Sequence, residues 1–297
     1  MDNIKQILHL YRDNDLNELI SENPINRFLK TDKVDINKSI DIKDNVNKEK
    51  DADVFIENKK NIINNNSGNM AQAIEKLIKK QTKIENNKGD SSIQDIIDSA
   101  RNLSDQVKDL EELQQVVHNF EGCNLKKMAT NTVFSDGDSS SKIMIIGEAP
   151  GNHEDLQGIP FCGDSGKLLD SMFAAIGYPR QDLYITNTIF WRPPGNRKPT
   201  KEELAICHPF VEKHIGLVEP ELIVLMGSTA MVSISEVKDP IGQVRGKFMD
   251  YSNQYLSNSP KVISLFHPSY LMRQPSKKRL AWEDLLMIKD FLNKNNG

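Results

Sequence analysis

Four short apolar runs constrain the fold of this chain more than any other feature of its sequence. The runs are KIMIIG at 142–147, LYITN at 183–187, LIVLMG at 222–227 and VISLF at 262–266. None of them alternates apolar with polar residues, which is typical of strands buried on both faces of a parallel sheet. Helical spacing occurs between and after the runs, at 165–176, 200–216, 228–236 and 278–294. We therefore predict an α/β fold with three layers, α/β/α, around a central four-stranded parallel sheet.

The first 115 residues differ in texture from the rest of the chain. Residues 1–70 are rich in Asn, Asp and Lys and would bury too little apolar surface to offset the entropy of ordering, so we expect a low-complexity, disordered tail. Within that tail, IKQILHLYRD has helical spacing and could form a short amphipathic helix that binds a partner. Residues 71–115 are predicted to form a helical linker or extension, followed by a domain over 116–297.

Charge and cysteine content limit the classes of function. The formal net charge of -4 argues against a surface coated in positive charge, but a local basic patch would suffice for phosphate contacts. No apolar run approaches the roughly 20 residues of a membrane span, and the N-terminus lacks a secretory pattern. The three cysteines form no CxxC pair, which favours a reducing, cytoplasmic location.

The loop after the first apolar run carries candidate site residues. It reads GEAPGNHED at 147–155 and contains several carboxylates, and ligands of open α/β sheets bind at the carboxyl ends of the strands. The GK pair at 166–167 suggests a phosphate-binding loop, but Phe161 stands where the Walker A pattern needs glycine and Leu168 follows the lysine. The loop is therefore predicted to line a site that does not bind ATP.

Four segments together carry a resemblance to a known family. They are GEAPGNHEDLQGIPF at 147–161, GDSGKLLD at 163–170, LYITNTIFWRPPGNRKPTKEE at 183–203 and FHPSYLMRQPSKKRLAW at 266–282. In this order and spacing they resemble the type-4 uracil-DNA glycosylases, over roughly residues 116–290. The resemblance implies a monofunctional hydrolase of base excision repair, which cuts the N-glycosidic bond of deoxyuridine in DNA and leaves an abasic site.

The resemblance also implies roles for three side chains in a pocket for a flipped base. Phe161 would stack on uracil, although an ordinary core Phe is the alternative. Asn187 would read uracil O4 and N3–H, because an amide both donates and accepts, although an Asn after a strand is commonly a turn residue. His267 would donate a hydrogen bond to uracil O2 as negative charge develops on the leaving base, and is a predicted catalytic residue with Asn187.

The carboxylates of the first loop would face the sugar. Other branches of the superfamily place near position 149 an Asp that handles the attacking water, whereas this chain has Ala149. We expect Glu154 to take a catalytic role, by positioning water or by stabilising the oxocarbenium-like sugar. Glu148, Ala149 and Pro150 would line the uracil site, with Glu148 acting mainly through its backbone. Solvated loop carboxylates are the alternative.

The segment HPSYLMR would enter the duplex, with Leu271 or Met272 as an apolar wedge in the place that the base vacates. Positive side chains would contact phosphates, and the candidates are Arg273, Lys277, Arg192 and Arg197. Taken singly, Lys277 to Arg279 would also suit a solvated helix start. The predicted partners are uracil-containing DNA and, through the tail, a repair or replication protein. We expect a monomer without membrane contact.

The chain departs from the resemblance at the iron–sulfur ligands. Type-4 enzymes usually carry a cluster on four cysteines, and only Cys123 and Cys207 match those positions here. The other two positions hold Phe120 and Trp191, which cannot ligate iron. We therefore predict that the protein binds neither this cluster nor another metal. Two alternatives to the enzyme remain on the same fold, a non-catalytic module that binds damaged DNA and one that recruits repair proteins. For the enzyme, the absence of an obvious pocket lysine favours monofunctional chemistry, with Lys167 as the exception.

Overall fold

The structure, a computed structural model, describes residues 92–295. The predicted tail at 1–70 and the start of the helical linker lie outside these residues. The helices are α1 Ile93–Gln106, α2 Leu110–Asn119, α3 Asn152–Gln157, α4 Asp164–Ala174, α5 Lys201–Val218, α6 Ser228–Ser235, α7 Ile241–Val244, α8 Pro268–Arg273 and α9 Lys278–Asn295. The strands are β1 Asp136–Gly137, β2 Ile143–Gly147, β3 Tyr184–Asn187, β4 Leu222–Met226, β5 Phe248–Asp250 and β6 Lys261–Leu265. Short 3₁₀ turns lie at Asn124–Met128, Arg180–Asp182, Pro194–Asn196 and Pro275–Lys277.

The sheet contains the predicted four parallel strands and two more at its edges. Its order is β1-β3-β2-β4-β6-β5, and the pairs β3–β2, β2–β4 and β4–β6 are parallel. The short strands β1 and β5 pair antiparallel with β3 and β6. The expectation of a four-stranded sheet is therefore correct for the centre, and the full sheet in the described residues has six strands. Strands of two and three residues are too short to show a period in sequence.

Successive residues of a strand point to opposite faces of a sheet, and here both faces are covered. Met144 and Ile146 of β2 belong to one buried cluster, together with Phe210 of α5. Ile143 and Ile145 belong to a second cluster, with side chains from α4 and α9. This arrangement confirms the three α/β/α layers and explains why the strands show no polar alternation.

The two helices that precede the sheet pack into the same core as the rest of the domain. Ala100 of α1 and Leu113 of α2 are fully buried in the cluster that contains α5. An ion pair between Arg101 of α1 and Glu212 of α5 adds a contact at the edge of this interface. Since the predicted boundary at 115/116 falls inside α2, we propose that the folded domain includes α1 and α2.

Candidate active site

A large cleft opens where the four parallel strands end. Its volume is about 810 Å³, which lies within the range of ligand pockets. Each central strand supplies a residue at or directly after its carboxyl end, and these four are Glu148, Asn187, Gly227 and Phe266. The other predicted site residues that line the cleft are Ala149, Pro150, Glu154, Phe161, Arg197, His267, Arg273 and Lys277. The fold therefore brings together side chains that lie more than a hundred positions apart in sequence.

Phe161 lies in the cleft wall in a strained backbone conformation. Its φ is 51°, in the left-handed region that side-chain-bearing residues rarely adopt, and its side chain is 5% exposed. Two glycines leave the space that it occupies. A Cβ at Gly166 would lie 1.6 Å from the Phe161 carbonyl oxygen, and a Cβ at Gly147 would lie 2.6 Å from its ring. The ring is therefore held against the end of β2.

Asn187 ends β3 and points its side-chain amide into the cleft. It pairs with Gly147 in the sheet register and is 2% exposed. A Cβ at Gly147 would lie 2.4 Å from Asn187 Oδ1, so the amide and the Phe161 ring share one small space. Within the described residues the amide makes no hydrogen bond, although it lines the cleft. The amide is not among the fully buried atoms without a partner, so it keeps access to the cleft and is free to pair with a ligand there.

His267 follows β6 and caps α8. Its Nδ1 accepts a hydrogen bond from the Ser269 backbone N–H at 3.2 Å and lies 2.8 Å from Ser269 Oγ. Because Nδ1 accepts, the neutral ring carries its proton on Nε2. Burial lowers the pKa of His267 to about 4, with a smaller contribution from the charge of Arg273, while Glu154 acts in the opposite direction. Near neutral pH, His267 is therefore a neutral Nε2–H donor.

Glu154 joins two loops of the site. Its Oε2 accepts from the Gly151 N–H and its Oε1 from the Gly163 N–H, each at 3.0 Å. The two oxygens of a carboxylate offer about four acceptor positions, so one remains on each oxygen. The Glu148 carbonyl oxygen accepts a hydrogen bond from the Thr188 hydroxyl at 2.6 Å. Glu154 thus combines a structural task with free acceptor capacity at the cleft.

The predicted DNA contacts divide into free and engaged side chains. Arg273 and Lys277 line the cleft and form no ion pair within residues 92–295. Arg197 also lines it, but its guanidinium is bound by both oxygens of Glu203. Arg192 is not a lining residue. Its guanidinium donates hydrogen bonds to the side-chain oxygens of Asn196 and Asn152.

The two candidates for the apolar wedge differ in exposure. Leu271 is 1% exposed and packs in the core beneath α8, whereas Met272 is 46% exposed. The prediction that Leu271 contacts DNA is therefore corrected, because its side chain is already committed to the core. Met272 is the residue of this pair whose side chain is exposed and can insert into a duplex.

Some lining residues were missed at the sequence level. Gly227 has φ of 95°, and a Cβ there would lie 3.1 Å from the His267 Cβ, so it leaves room for that ring. The position of Gly227 after an apolar run was a usable signal. Pro240, Ile241 and Gly242 form part of the wall from the start of α7, and no local pattern indicates this. Other lining residues that were missed include Ser165, Ser228 and Tyr270.

The residues at the iron–sulfur ligand positions do not fit a four-thiolate cluster. Cys123 and Cys207 are buried neighbours, since a hydrogen bond with the Cys207 thiol lowers the pKa of Cys123. Phe120 and Trp191 are buried in the same cluster, and the Trp191 indole donates to Thr132 Oγ1 at 3.0 Å. Across the described part of the chain, no group of three or more His, Cys, Asp or Glu residues is placed to hold a metal ion.

Comparisons with known proteins identify the family of this chain. The sequence profile of the Uracil DNA glycosylase superfamily matches residues 134–286. A type-4 uracil-DNA glycosylase of Thermotoga maritima is 38% identical over 191 residues, which are 62% of this chain and 97% of the relative. One from Archaeoglobus fulgidus is 34% identical over 63% of this chain and 96% of the relative. One from Saccharolobus solfataricus is 35% identical over 60% and 83%. No helix between residues 92 and 295 is long and apolar enough to cross a membrane.

Proposed function

Because this chain belongs to the uracil-DNA glycosylase superfamily, we propose that it excises uracil from DNA as a monofunctional hydrolase, in which water cleaves the N-glycosidic bond and an abasic site remains. Uracil excision in DNA repair is its function; the assignment of roles to individual residues is the proposed part. The observation that carries it is the amide of Asn187, which has no hydrogen-bond partner in residues 92–295 and shares one cleft with the Phe161 ring and with a neutral His267.

Base recognition follows from the first two of these groups. A uracil that has left the stack needs an apolar surface for its face and paired hydrogen bonds for its edge. The Phe161 ring supplies the surface. The Asn187 amide can donate to O4 and accept from N3–H, which satisfies its own buried polar atoms at the same time. Ala149, Pro150 and the backbone of Glu148 close the pocket around the base.

Bond cleavage uses His267 and Glu154. As the glycosidic bond breaks, negative charge accumulates on the uracil ring and positive charge on the sugar. The Nε2–H of His267 stabilises the negative charge on uracil by donating a hydrogen bond to O2. It does so without a protonation step because the ring is neutral. The free acceptor positions of Glu154 would face the positively charged sugar and can orient the attacking water.

The DNA would be held at the rim of the cleft. Arg273 and Lys277 line the cleft and form no ion pair in residues 92–295, so they are available for phosphates. Met272 would occupy the place of the flipped base. Arg197 and Arg192 have protein partners and would contribute to binding only by exchanging them. We also propose that the chain acts as a cytoplasmic monomer and that the tail recruits a repair or replication protein.

We propose that this chemistry needs no metal cofactor. The two thiols and two aromatic side chains at the ligand positions of the cluster support this, since an iron–sulfur cluster requires its thiolates. The monofunctional mechanism is supported by Lys167, which pairs with Asp164 at 3.0 Å and does not line the cleft. Lys198 and Lys277 do line it, so the assay must also test for a Schiff base.

The test is incubation of the protein with an oligonucleotide that carries a single uracil. Strand cleavage that appears only after alkali treatment is expected of a monofunctional glycosylase. Cleavage without alkali, together with covalent trapping by borohydride, would show a lyase that uses a lysine. Tight binding of the oligonucleotide without release of uracil would instead favour the non-catalytic damage-binding module.

A further inference from the structure

One half-buried cation outside the cleft holds the backbone of a cleft residue. Arg180 begins the 3₁₀ turn that precedes β3, and it does not line the cleft. Its Nη2 donates to the Pro160 carbonyl oxygen at 2.7 Å, and its Nη1 donates to the Phe161 carbonyl oxygen at 3.2 Å. The guanidinium therefore binds the carbonyl oxygens of two successive residues, the second of which is Phe161.

Two carboxylates fix the guanidinium in turn. Arg180 Nε donates to Asp136 Oδ2 at 2.8 Å, and Nη1 donates to Asp170 Oδ1 at 2.9 Å. Asp136 belongs to edge strand β1 and Asp170 to helix α4. The planar, five-donor geometry of arginine allows one side chain to serve both acids and both carbonyls. Lysine, with a compact ammonium, could not reproduce this fork.

The backbone that Arg180 binds, at Pro160 and Phe161, includes a residue in a strained conformation. Phe161 is one of four non-glycine residues with positive φ in the described part of the chain, and the strain persists only if its surroundings enforce it. Gly166 removes a steric obstacle beside the Phe161 carbonyl, but removal of an obstacle does not hold the peptide in place. The hydrogen bonds from Arg180 to the Pro160 and Phe161 carbonyls supply that hold.

We propose that Arg180 is a positioning residue for uracil excision, which acts through Phe161 by fixing the backbone that presents its ring to the flipped base. This role rests on the proposed function of the cleft. It differs from that of a purely structural ion pair between β1 and α4, which would leave the ring and its chemistry untouched. A misplaced group near the reacting centre can reduce a rate about 10²-fold, so the effect is measurable.

The experiment is a double-mutant cycle in full-length protein, read by single-turnover excision from a single-uracil oligonucleotide. The variants are Arg180→Lys, Phe161→Leu and the double variant, with Arg101→Lys as matched control. Arg101 is a partly exposed arginine in an ion pair with Glu212, away from the cleft. We expect Arg180→Lys to slow excision about tenfold or more in the wild-type background and less than about twofold in the Phe161→Leu background. Arg101→Lys should leave the rate unchanged.

Variants too slow to time are compared by equilibrium binding of an oligonucleotide with non-hydrolysable 2′-fluorodeoxyuridine, in the same cycle. Circular dichroism melts show whether each variant is folded at the assay temperature. An equal rate loss from Arg180→Lys in both backgrounds, or none in either, would overturn the positioning role. Excision by the wild-type protein is the separate test of the function itself, so the two failures are distinguishable.

Discussion

The ring of Phe161 is stacked beside the imidazole of His267, with centroids 5.6 Å apart and planes inclined by 29°. The residue assigned to the face of the base and the residue assigned to its O2 edge are thus in contact before any base enters. Aromatic neighbours restrict each other's rotation, so this contact orients the donor as well as the stacking surface. Substitution of either ring should therefore disturb the other.

Replacement of His267 by Ala should lower the rate of uracil excision by about 10²-fold or more, because one transition-state donor contributes on that order. The measurement is single-turnover kinetics at saturating protein. His118 lies on α2, outside the cleft, and His118→Ala serves as the matched control with an unchanged rate. Equal rates for His267→Ala and the parent protein would remove His267 from the mechanism.

The pH dependence of His267 follows from its lowered pKa. The ring has an ordinary pKa near 6.5 when unfolded and about 4 when folded, so the unfolded chain takes up the proton first as pH falls. The stability that neutral His267 contributes is complete above pH about 6.5 and is lost progressively down to about 4. NMR titration should show that the ring whose signal is lost in His267→Gln stays neutral at pH 5.5, as does the ring of His214, because burial lowers the pKa of His214 to about 3. A midpoint near 6.5 for the His267 ring would contradict its burial.

The same titration tests the influence of Arg273. Its positive charge is the second cause of the lowered pKa, so Arg273→Gln should raise the midpoint of His267. Lys278→Gln, a cation that does not line the cleft, is the control and should leave the midpoint in place.

Asn187→Asp should redirect base choice. Asn offers one donor and one acceptor, which suit uracil O4 and N3–H, whereas an ionised Asp offers acceptors only. Uracil O4 then loses its donor, while the cytosine amino group gains an acceptor. We expect uracil excision to fall more than about tenfold and slow cytosine excision to appear. The reason is that a pocket strongly rejects a base that leaves buried polar groups without hydrogen-bond partners. Time courses on matched oligonucleotides with one uracil or one cytosine measure both rates.

The exposed Asn119→Asp substitution on α2 is the control for the change in charge and should behave like the parent protein. An unchanged uracil rate in Asn187→Asp would mean that this amide does not read the base. The pocket assignment would then have to move to other lining residues.

Purified protein should be colourless and contain no stoichiometric iron or sulfide, because two thiols cannot replace four. Visible absorbance and iron analysis after anaerobic purification measure this. In place of a metal, Phe120 and Trp191 should stabilise the fold, and Trp191→Ala should cost about 3–5 kcal/mol of unfolding free energy, as for large buried aromatics. A brown protein with near-stoichiometric iron would show that the ligand positions are misassigned.

Two truncations test where the folded domain begins. A chain that starts at Met70 should keep its melting temperature and its excision rate, because the removed residues belong to the low-complexity tail. A chain that starts at Leu110 lacks α1 and should melt several degrees lower, since it exposes the surface against which Ala100 and Leu103 are buried. Equal melting temperatures for both truncations would place α1 outside the folded domain.

The sequence alone determined the parts of this protein that local pattern encodes. Continuous apolar runs require burial on both faces, which is why the four parallel strands could be predicted. The capping box of Thr200 and Glu203 at the start of α5 was equally readable, since its two partners lie three residues apart. Three of the four site motifs include or follow a parallel strand, and parallel strands bring their carboxyl ends to one edge.

Only the tertiary structure decided which neighbour of a pair faces the core and which donors are already engaged. Leu271 and Met272 are both apolar, and their difference arises from core side chains distant in sequence that pack against one of them. The hydrogen bonds of Glu154, the tautomer of His267 and the grip of Arg180 on Phe161 likewise depend on contacts that folding creates. Periodicity and motif spacing report the environment of a segment, whereas hydrogen bonds and packing are properties of atoms that meet only once the chain is folded.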